Sequence, residues 1–230
     1  MNQIEKNLLG NLKKLNLIEK KIVVGFSGGG DSTALMIALK KIKSINPKLS
    51  FEAFHVNYGL RKESDLDEKF VQHICNKLDI KLTIRNIKNE NINLKSDSEN
   101  ELRKIRYELI SKYIKESKLY CLLTAHNLND HIETFLMKLS RGTGFKGMEG
   151  INNYSILEEF EGLKIYRPLI KFKKEDLLEY CLINNEKPIH DITNDNVKFS
   201  RNRIRSNVIP EFEKLNPDFL NTVNRLTKLV

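Results

Sequence analysis

No apolar stretch in this chain approaches the ~20 residues that would span a bilayer, and its N-terminus is a charged amphipathic helical pattern rather than a secretory leader. Cysteine is scarce: Cys75, Cys121 and Cys181 stand far apart and form no C-x-x-C pair. That excludes a disulfide framework or zinc knuckle and points to a reducing compartment. Cys121 falls inside the apolar run 119–125 and reads as a small buried hydrophobe. There is no internal repeat. These absences predict a soluble, cytoplasmic protein with no membrane partner. What the chain has in excess is positive charge, with Lys+Arg 39 against Asp+Glu 30, a net charge of +9 and a pI of about 9.3. Such a balance suits a polyanion, nucleic acid above all. A chain this rich in Lys, Asn and Ile also fits a genome-wide compositional bias, so the placement of arginines says more than the lysine total. With 230 residues there is room for one ample core and a small C-terminal appendage.

The most informative stretch is Val23-Val24-Gly25-Phe26-Ser27-Gly28-Gly29-Gly30-Asp31-Ser32. An apolar run ends in glycines, an acid and two hydroxyls, and a helical pattern begins at Ala34. A strand, a tight loop and a helix N-terminus in that order form a natural seat for an anion held by backbone N–H groups. The spacing Gly25-x-x-x-x-Gly30 fits the start of a Walker A loop, but Asp31 stands where that loop has its phosphate-gripping lysine. An acid there reaches a phosphate only through a divalent cation. The loop is suited to a nucleotide, though not to ordinary γ-phosphate transfer.

Short β-rich runs alternate with amphipathic helical patterns, which predicts an α/β fold: a five-stranded, mostly parallel sheet with helices on both faces. Strands are expected at 21–26, 51–57, 81–87, 119–125 and, after a glycine-rich loop, within 164–169, where Pro168 fits an edge or terminal position. Helices are expected at 33–43, 64–78 and 99–115, the last opened by a Ser98/Glu101 capping box. Residues 1–169 read as the nucleotide domain. Residues 170–230 read as a small helical subdomain, with a helix at 173–184 and two shorter ones broken by Pro210 and Pro217. Open α/β sheets bind ligands beyond the carboxyl ends of their strands, which gathers 27–32, 57–61 and 126–133 into one candidate site.

After the fourth strand comes Thr124-Ala125-His126-Asn127-Leu128-Asn129-Asp130-His131-Ile132-Glu133-Thr134. Asp130 and Glu133, three apart, share a face of the helix that follows, and Asn127 can cap it. Acids also favour helix starts for dipole reasons alone. Beside the first loop, however, Asp31 and Asp130 could share Mg²⁺, which prefers carboxylate and phosphate oxygens. Zinc lacks a third His or Cys at ligand spacing. Arg201 and Arg205 face one way a turn apart, and their guanidinium groups suit phosphate or flipped-base contacts. Glu99 and Arg103 have the spacing of an i,i+4 surface pair.

The string Ser27-Gly28-Gly29-Gly30-Asp31-Ser32 is similar to the SGGxDS loop of the N-type ATP pyrophosphatases of the PP-loop superfamily, with their adenine nucleotide α-hydrolase-like, Rossmann-like fold. Further strings extend the likeness along almost the whole chain: His55-Val56-Asn57-Tyr58-Gly59-Leu60-Arg61 with Glu63-Ser64, Glu99 with Arg103 and Arg106-Tyr107, the Thr-Ala-His segment, and Leu139-Ser140-Arg141-Gly142-Thr143-Gly144. Arg167-Pro168-Leu169, the 191–194 segment and Arg201-Asn202-Arg203-Ile204-Arg205 complete the set. Taken in order they resemble the tRNA(Ile)-lysidine synthetase family.

The resemblance implies a ligase that uses ATP and Mg²⁺. The wobble cytidine of a CAU-anticodon tRNA(Ile) is adenylated at O2 with release of pyrophosphate, and the ε-amine of L-lysine then displaces AMP at C2 to give lysidine. It implies that Ser27, Gly28, Gly29, Gly30, Asp31 and Ser32 hold the phosphates, with His55, Arg61 and His126 also at the nucleotide. Asp31 and Asp130 would hold the metal. Asp130 and Glu133 would meet the lysine ammonium, and Arg106, Arg201 and Arg205 would serve catalysis or the anticodon. The oligomeric state stays open, a homodimer included. The chain departs from the family at Asn129, where an acid is usual, at His131, expected on the helix surface, and at Tyr58 in place of a histidine. Many members continue into C-terminal domains that grip the acceptor stem, whereas this sequence stops at Val230. It is either a short form or a piece of a longer chain. A PP-loop tRNA thiolase and an inactive tRNA-binding module are the alternatives, and the first ordinarily needs a cysteine pair that is missing here.

Overall fold

A computed structural model describes residues 1–60, 64–90, 92, 96, 98–189 and 200–229; Arg61, Glu63 and the 191–194 segment lie outside them. Ile22, Val23 and Val24 are completely buried, the continuous apolar run that a strand covered on both faces requires. They form β1 (Lys21–Gly25), which pairs in parallel with β2 (Ser50–Asn57) on one side and β4 (Cys121–Leu123) on the other. β3 (Leu82–Asn86), β5 (Tyr154–Leu157) and β6 (Leu163–Tyr166) complete a sheet of order β3-β2-β1-β4-β6-β5. Among the described residues there are thus six strands, not five. The additional one, β5, runs antiparallel to β6 and is half-exposed with four residues, too short and mixed to declare itself as a strand. β6 ends at Tyr166, which leaves Pro168 just past the strand, and β6 is interior, flanked by β4 and β5.

Alternation of side chains sorts the helices between the two faces. Ile22 and Val24 share a core with α1 (Gln3–Lys14), α2 (Gly30–Ile45), α3 (Ser64–Lys77) and α7 (Lys174–Ile183). Val23 points the other way, into a core with Ile105, Tyr107 and Ile110 of α4 (Glu99–Glu116). Ser98 caps α4 by accepting the Glu101 N–H at 3.3 Å, the forward half of the expected capping box. α5 (Leu128–Ser140) packs Leu128, Ile132 and Phe135 against Ile209, Leu220 and Val223 of α9 (Ile209–Leu215) and α10 (Phe219–Leu226). Between them lie α6 (Phe145–Met148), α8 (Ser200–Arg203) and a π-turn, Ile204–Val208. Pro210 sits in the first turn of α9, where a missing N–H costs nothing, so it starts a helix instead of breaking one.

The strand order reverses between β1 and β4. β1 leads outward through β2 to β3, and the chain then returns to place β4 on the opposite side of β1. Helices diverge to opposite faces at such a point and open a crevice beyond the carboxyl ends of the two strands. The loops after β1 and β4, the two motifs the sequence singles out, border this crevice.

Candidate active site

The loop after β1 is held open by its own hydroxyls. The Ser27 and Ser32 Oγ atoms lie 3.0 Å apart, Ser32 donates to the Gly29 carbonyl at 3.0 Å, and Thr33 donates to that of Gly28 at 3.3 Å. Each glycine answers a different need. Gly28 has φ +87, and a Cβ there would press on Ile189, Val71 and Phe70. At Gly30 a Cβ would collide with Leu178 of α7. At Gly29 a Cβ would meet, among the described residues, the Ser27 hydroxyl alone, at 3.5 Å, so this is the side where a ligand can approach the backbone N–H groups.

Asp31 stands in the first turn of α2, and its Oδ1 is buried without a hydrogen-bond partner. Burial, and then repulsion from the Asp130 carboxylate, raise its pKa from 3.8 to about 6 against the pull of Lys174, the Asn127 amide and Arg205. Asp130 is fixed by a capping box: Asn127 Oδ1 accepts the Asp130 N–H at 2.9 Å, and Asp130 Oδ2 accepts the Asn127 N–H at 3.0 Å. That leaves Asp130 Oδ1 outside the capping box, 3.8 Å from Arg205 Nη2. Among the described residues no third His, Cys, Asp or Glu completes an all-protein metal cage. Two repelling carboxylates, one with an orphaned oxygen, beside a phosphate loop are the donor set Mg²⁺ takes when phosphates and water supply the rest.

Glu133 is fully buried, and Arg205 embraces it with Nε at 2.6 Å from Oε1 and Nη2 at 3.0 Å from Oε2. Burial pushes the Glu133 pKa up, and the bidentate arginine opposes this. Arg205 Nη2 is also 3.8 Å from Asp130. Arg201 stands behind, its Nε 3.7 Å from Glu133 and its Nη1 2.6 Å from Glu99. The two arginines do face one way, as their spacing implies, but in this structure they clasp acids. Glu99 accordingly pairs with Arg201 and not with Arg103.

Arg103 and Arg106 lie over the Tyr107 ring, at 5.3 and 5.7 Å from its centroid. His126 follows β4 with Nδ1 2.8 Å from the Thr124 hydroxyl. Burial lowers its pKa to about 4; Asp130 opposes that, while Arg167, Arg106 and Arg103 add to it. His55 is buried, and its Nδ1–H donates to the Phe26 carbonyl at 2.8 Å, steadying the end of β1 below the loop. His131 is not on the helix surface. It is 6% exposed, with Nε2 2.9 Å from the Thr227 hydroxyl and Nδ1 accepting the Ile151 N–H at 3.0 Å. Asn129, at the position of the usual acid, accepts the Lys174 N–H at 3.0 Å and so ties the start of α7 to α5. Lys174 carries no sequence signal of its own. Arg167, which the sequence shows only as part of the Arg167-Pro168-Leu169 string, is 4% exposed and lies near enough to His126 to disfavour its protonation.

A phosphate-sized loop, paired acids and a neutral histidine at the switch point of a parallel sheet define a nucleotide-using α/β domain. The family model described as PP-loop domain matches residues 1–212, and the chain belongs to that family. Curated relatives include a tRNA(Ile)-lysidine synthase of Buchnera aphidicola subsp. Schizaphis graminum, 37% identical over 217 residues, which are 94% of this chain and 47% of that one. Another, from Clostridium perfringens, is 34% identical over 229 residues, 97% of this chain and 47% of the relative. The chain therefore spans about half the length of the curated relatives it matches. Among solved structures, a U34-tRNA thiolase from Methanococcus maripaludis superposes with a TM-score of 0.78 at 20% identity, covering 99% of this chain and 80% of that one. That likeness shows the fold.

Proposed function

We propose that this chain carries the catalytic chemistry of lysidine formation: ATP-dependent joining of L-lysine to C2 of the wobble cytidine in a CAU-anticodon tRNA(Ile), with release of pyrophosphate and AMP. The observation that carries it is the meeting of Asp31, with its orphaned buried oxygen, and Asp130 at an open phosphate loop, in a chain whose relatives bear that enzyme's name. Ser27 to Ser32 bind the triphosphate, and Asp31 with Asp130 would hold Mg²⁺. When bound, the ion supplies charge neutralisation for the departing pyrophosphate. The Gly29 side of the loop directs backbone N–H groups at the same charge.

Lysine arrives as an ammonium ion and must lose a proton before it attacks. Asp130, whose Oδ1 stands outside the capping box, is the acceptor, and Glu133 orients the amine once Arg205 shares or releases it. His126, kept neutral, contacts the nucleotide without adding positive charge beside the base; Arg106, Arg201 and Arg205 serve the anticodon. In this reading residues 1–169 carry the nucleotide chemistry and 170–230 an Arg-rich block that adds to the tRNA contacts, in the cytoplasm. The thiolase alternative needs a reactive cysteine, yet burial raises all three thiols to about 12.

The test supplies ATP, Mg²⁺, labelled lysine and a CAU-anticodon transcript. Label should enter that transcript alone, with AMP as product, and Asp130→Asn should lose lysine incorporation. Formation of ADP, or label in a transcript with another first anticodon base, would refute the reading. ATP–pyrophosphate exchange that ignores added tRNA would do the same.

A further inference from the structure

Arg103, Arg106 and Arg167 have no carboxylate partner among the described residues, although other arginines of the site are clasped by acids. Arg167 is 4% exposed, and its Nη1 donates to the Asn152 carbonyl and to Ser155 Oγ, both at 2.8 Å, in and next to the β5 strand. Its Nε makes no hydrogen bond of good geometry, and the Tyr107 hydroxyl, likewise unsatisfied, lies beside the guanidinium. A buried guanidinium left with an orphaned donor is costly unless an anion arrives to pair with it. The three cations are graded outward, from buried Arg167 through half-buried Arg106 to exposed Arg103. They run along aromatic walls: Tyr107, beneath both α4 arginines, and Tyr58, which lies beside Arg106 and donates to the Leu102 carbonyl at 3.2 Å.

We infer that Arg103, Arg106 and Arg167 form a phosphodiester track that leads an RNA strand from the surface of α4 to the reacting base, on the β6 side of His126. The sheet order assigns the occupant. The phosphate loop follows β1, Arg167 follows β6, and β4 with His126 lies between them. ATP phosphates are thus served on one side of His126, and a second phosphate-bearing chain fits on the other. Guanidinium forks match phosphate oxygens; Tyr107, 2% exposed, backs the two α4 arginines and leaves their outer sides to the phosphates. The inference rests on the proposed action on tRNA but names a binding site that can be tested without any turnover.

The experiment measures binding of an anticodon stem-loop RNA by fluorescence polarisation across a salt series, in the presence and absence of MgATP, for the parent, Arg103→Ala and Arg167→Met. Each variant should bind RNA at least several-fold more weakly. Each should also lower the slope of log K against log salt by about 0.7, the share of one phosphate contact on a single strand. Affinity for a fluorescent ATP analogue should stay within twofold. Arg103 is exposed, so its variant separates lost binding from lost folding, and a melting curve checks Arg167→Met. An unchanged RNA slope in Arg103→Ala overturns the track, as does a fall in ATP affinity with RNA binding intact, which would assign the cluster to the nucleotide. If the slopes fall as expected while lysine transfer fails, the track stands and the lysidine reading does not.

Discussion

Replacing Asp31 by Asn should stabilise the ligand-free protein near neutral pH and leave it almost unchanged in acid. In the fold the Asp31 carboxyl has a pKa of about 6, against 3.8 for the free group, because it is buried and faces Asp130. The folded state therefore holds this proton more tightly than the unfolded chain, and stability falls as pH climbs from about 4 through 6. Above that window the penalty is complete. The rise from 3.8 to about 6 corresponds to about 3 kcal/mol. Asparagine has the shape of the neutral acid and cannot ionise, so it escapes this cost. Urea unfolding followed by circular dichroism should show the two proteins close together at about pH 4, with the variant ahead by up to about 3 kcal/mol above pH 7. MgATP should reverse the order, because only the parent gains the full stabilisation of ligand binding. An Asn variant less stable than the parent at neutral pH, or a gap that does not change with pH, would refute the argument that repulsion and burial hold Asp31 ready for a cation.

The Glu133–Arg205 pair should cost about 3 kcal/mol or more when one partner is removed, since the other charge is left buried. Arg205→Met should show this in urea unfolding, and a Glu133→Gln/Arg205→Met double variant should recover most of the loss. Gly30→Ala should destabilise by about 1–3 kcal/mol, because the new methyl meets Leu178; Leu178→Ala in the same chain should relieve the clash in a thermal melt. His131→Phe loses the bonds to Ile151 and Thr227 at about 1–3 kcal/mol. Hydrogen exchange should then quicken in α10 while the central strands stay protected.

The parts of this molecule that can be read from its sequence are those written in local spacing. β1 and β2 are legible because unbroken apolar runs end in polar loops, and Asp130 with Glu133 because a three-residue interval puts two acids on one helical face. β5 is not, because Tyr154-Ser155-Ile156-Leu157 gains strand character only by pairing with β6. His131 misleads for the same reason. Its position within α5 is polar by local pattern, but its cover comes from Ile151 and from Thr227, just past the end of α10. Arg201 and Arg205 are visible as a stripe, yet their acids lie in α4 and α5, distant in sequence. Asn129 looks like a lost ligand until α7 is docked on it.

The fold also separates two explanations of the basic composition. Where lysines meet surface acids, as in Lys48–Glu19, Lys115–Glu161 and Lys214–Glu211, both partners are exposed. Exposed pairs of that kind contribute about 0–1 kcal/mol each and select no partner, so lysine abundance is what compositional drift can supply without consequence. The arginines at the carboxyl edge of the sheet follow another rule. On the acid side Asp31, Asp130 and Glu133 are met by Lys174, Arg201 and Arg205, charge against charge. Across His126, Arg103, Arg106 and Arg167 meet aromatic faces and backbone oxygens instead. A balanced cluster can wait for its ligands without a partner. An unbalanced one, placed against a histidine whose protonation it already disfavours, gains most from an incoming anion.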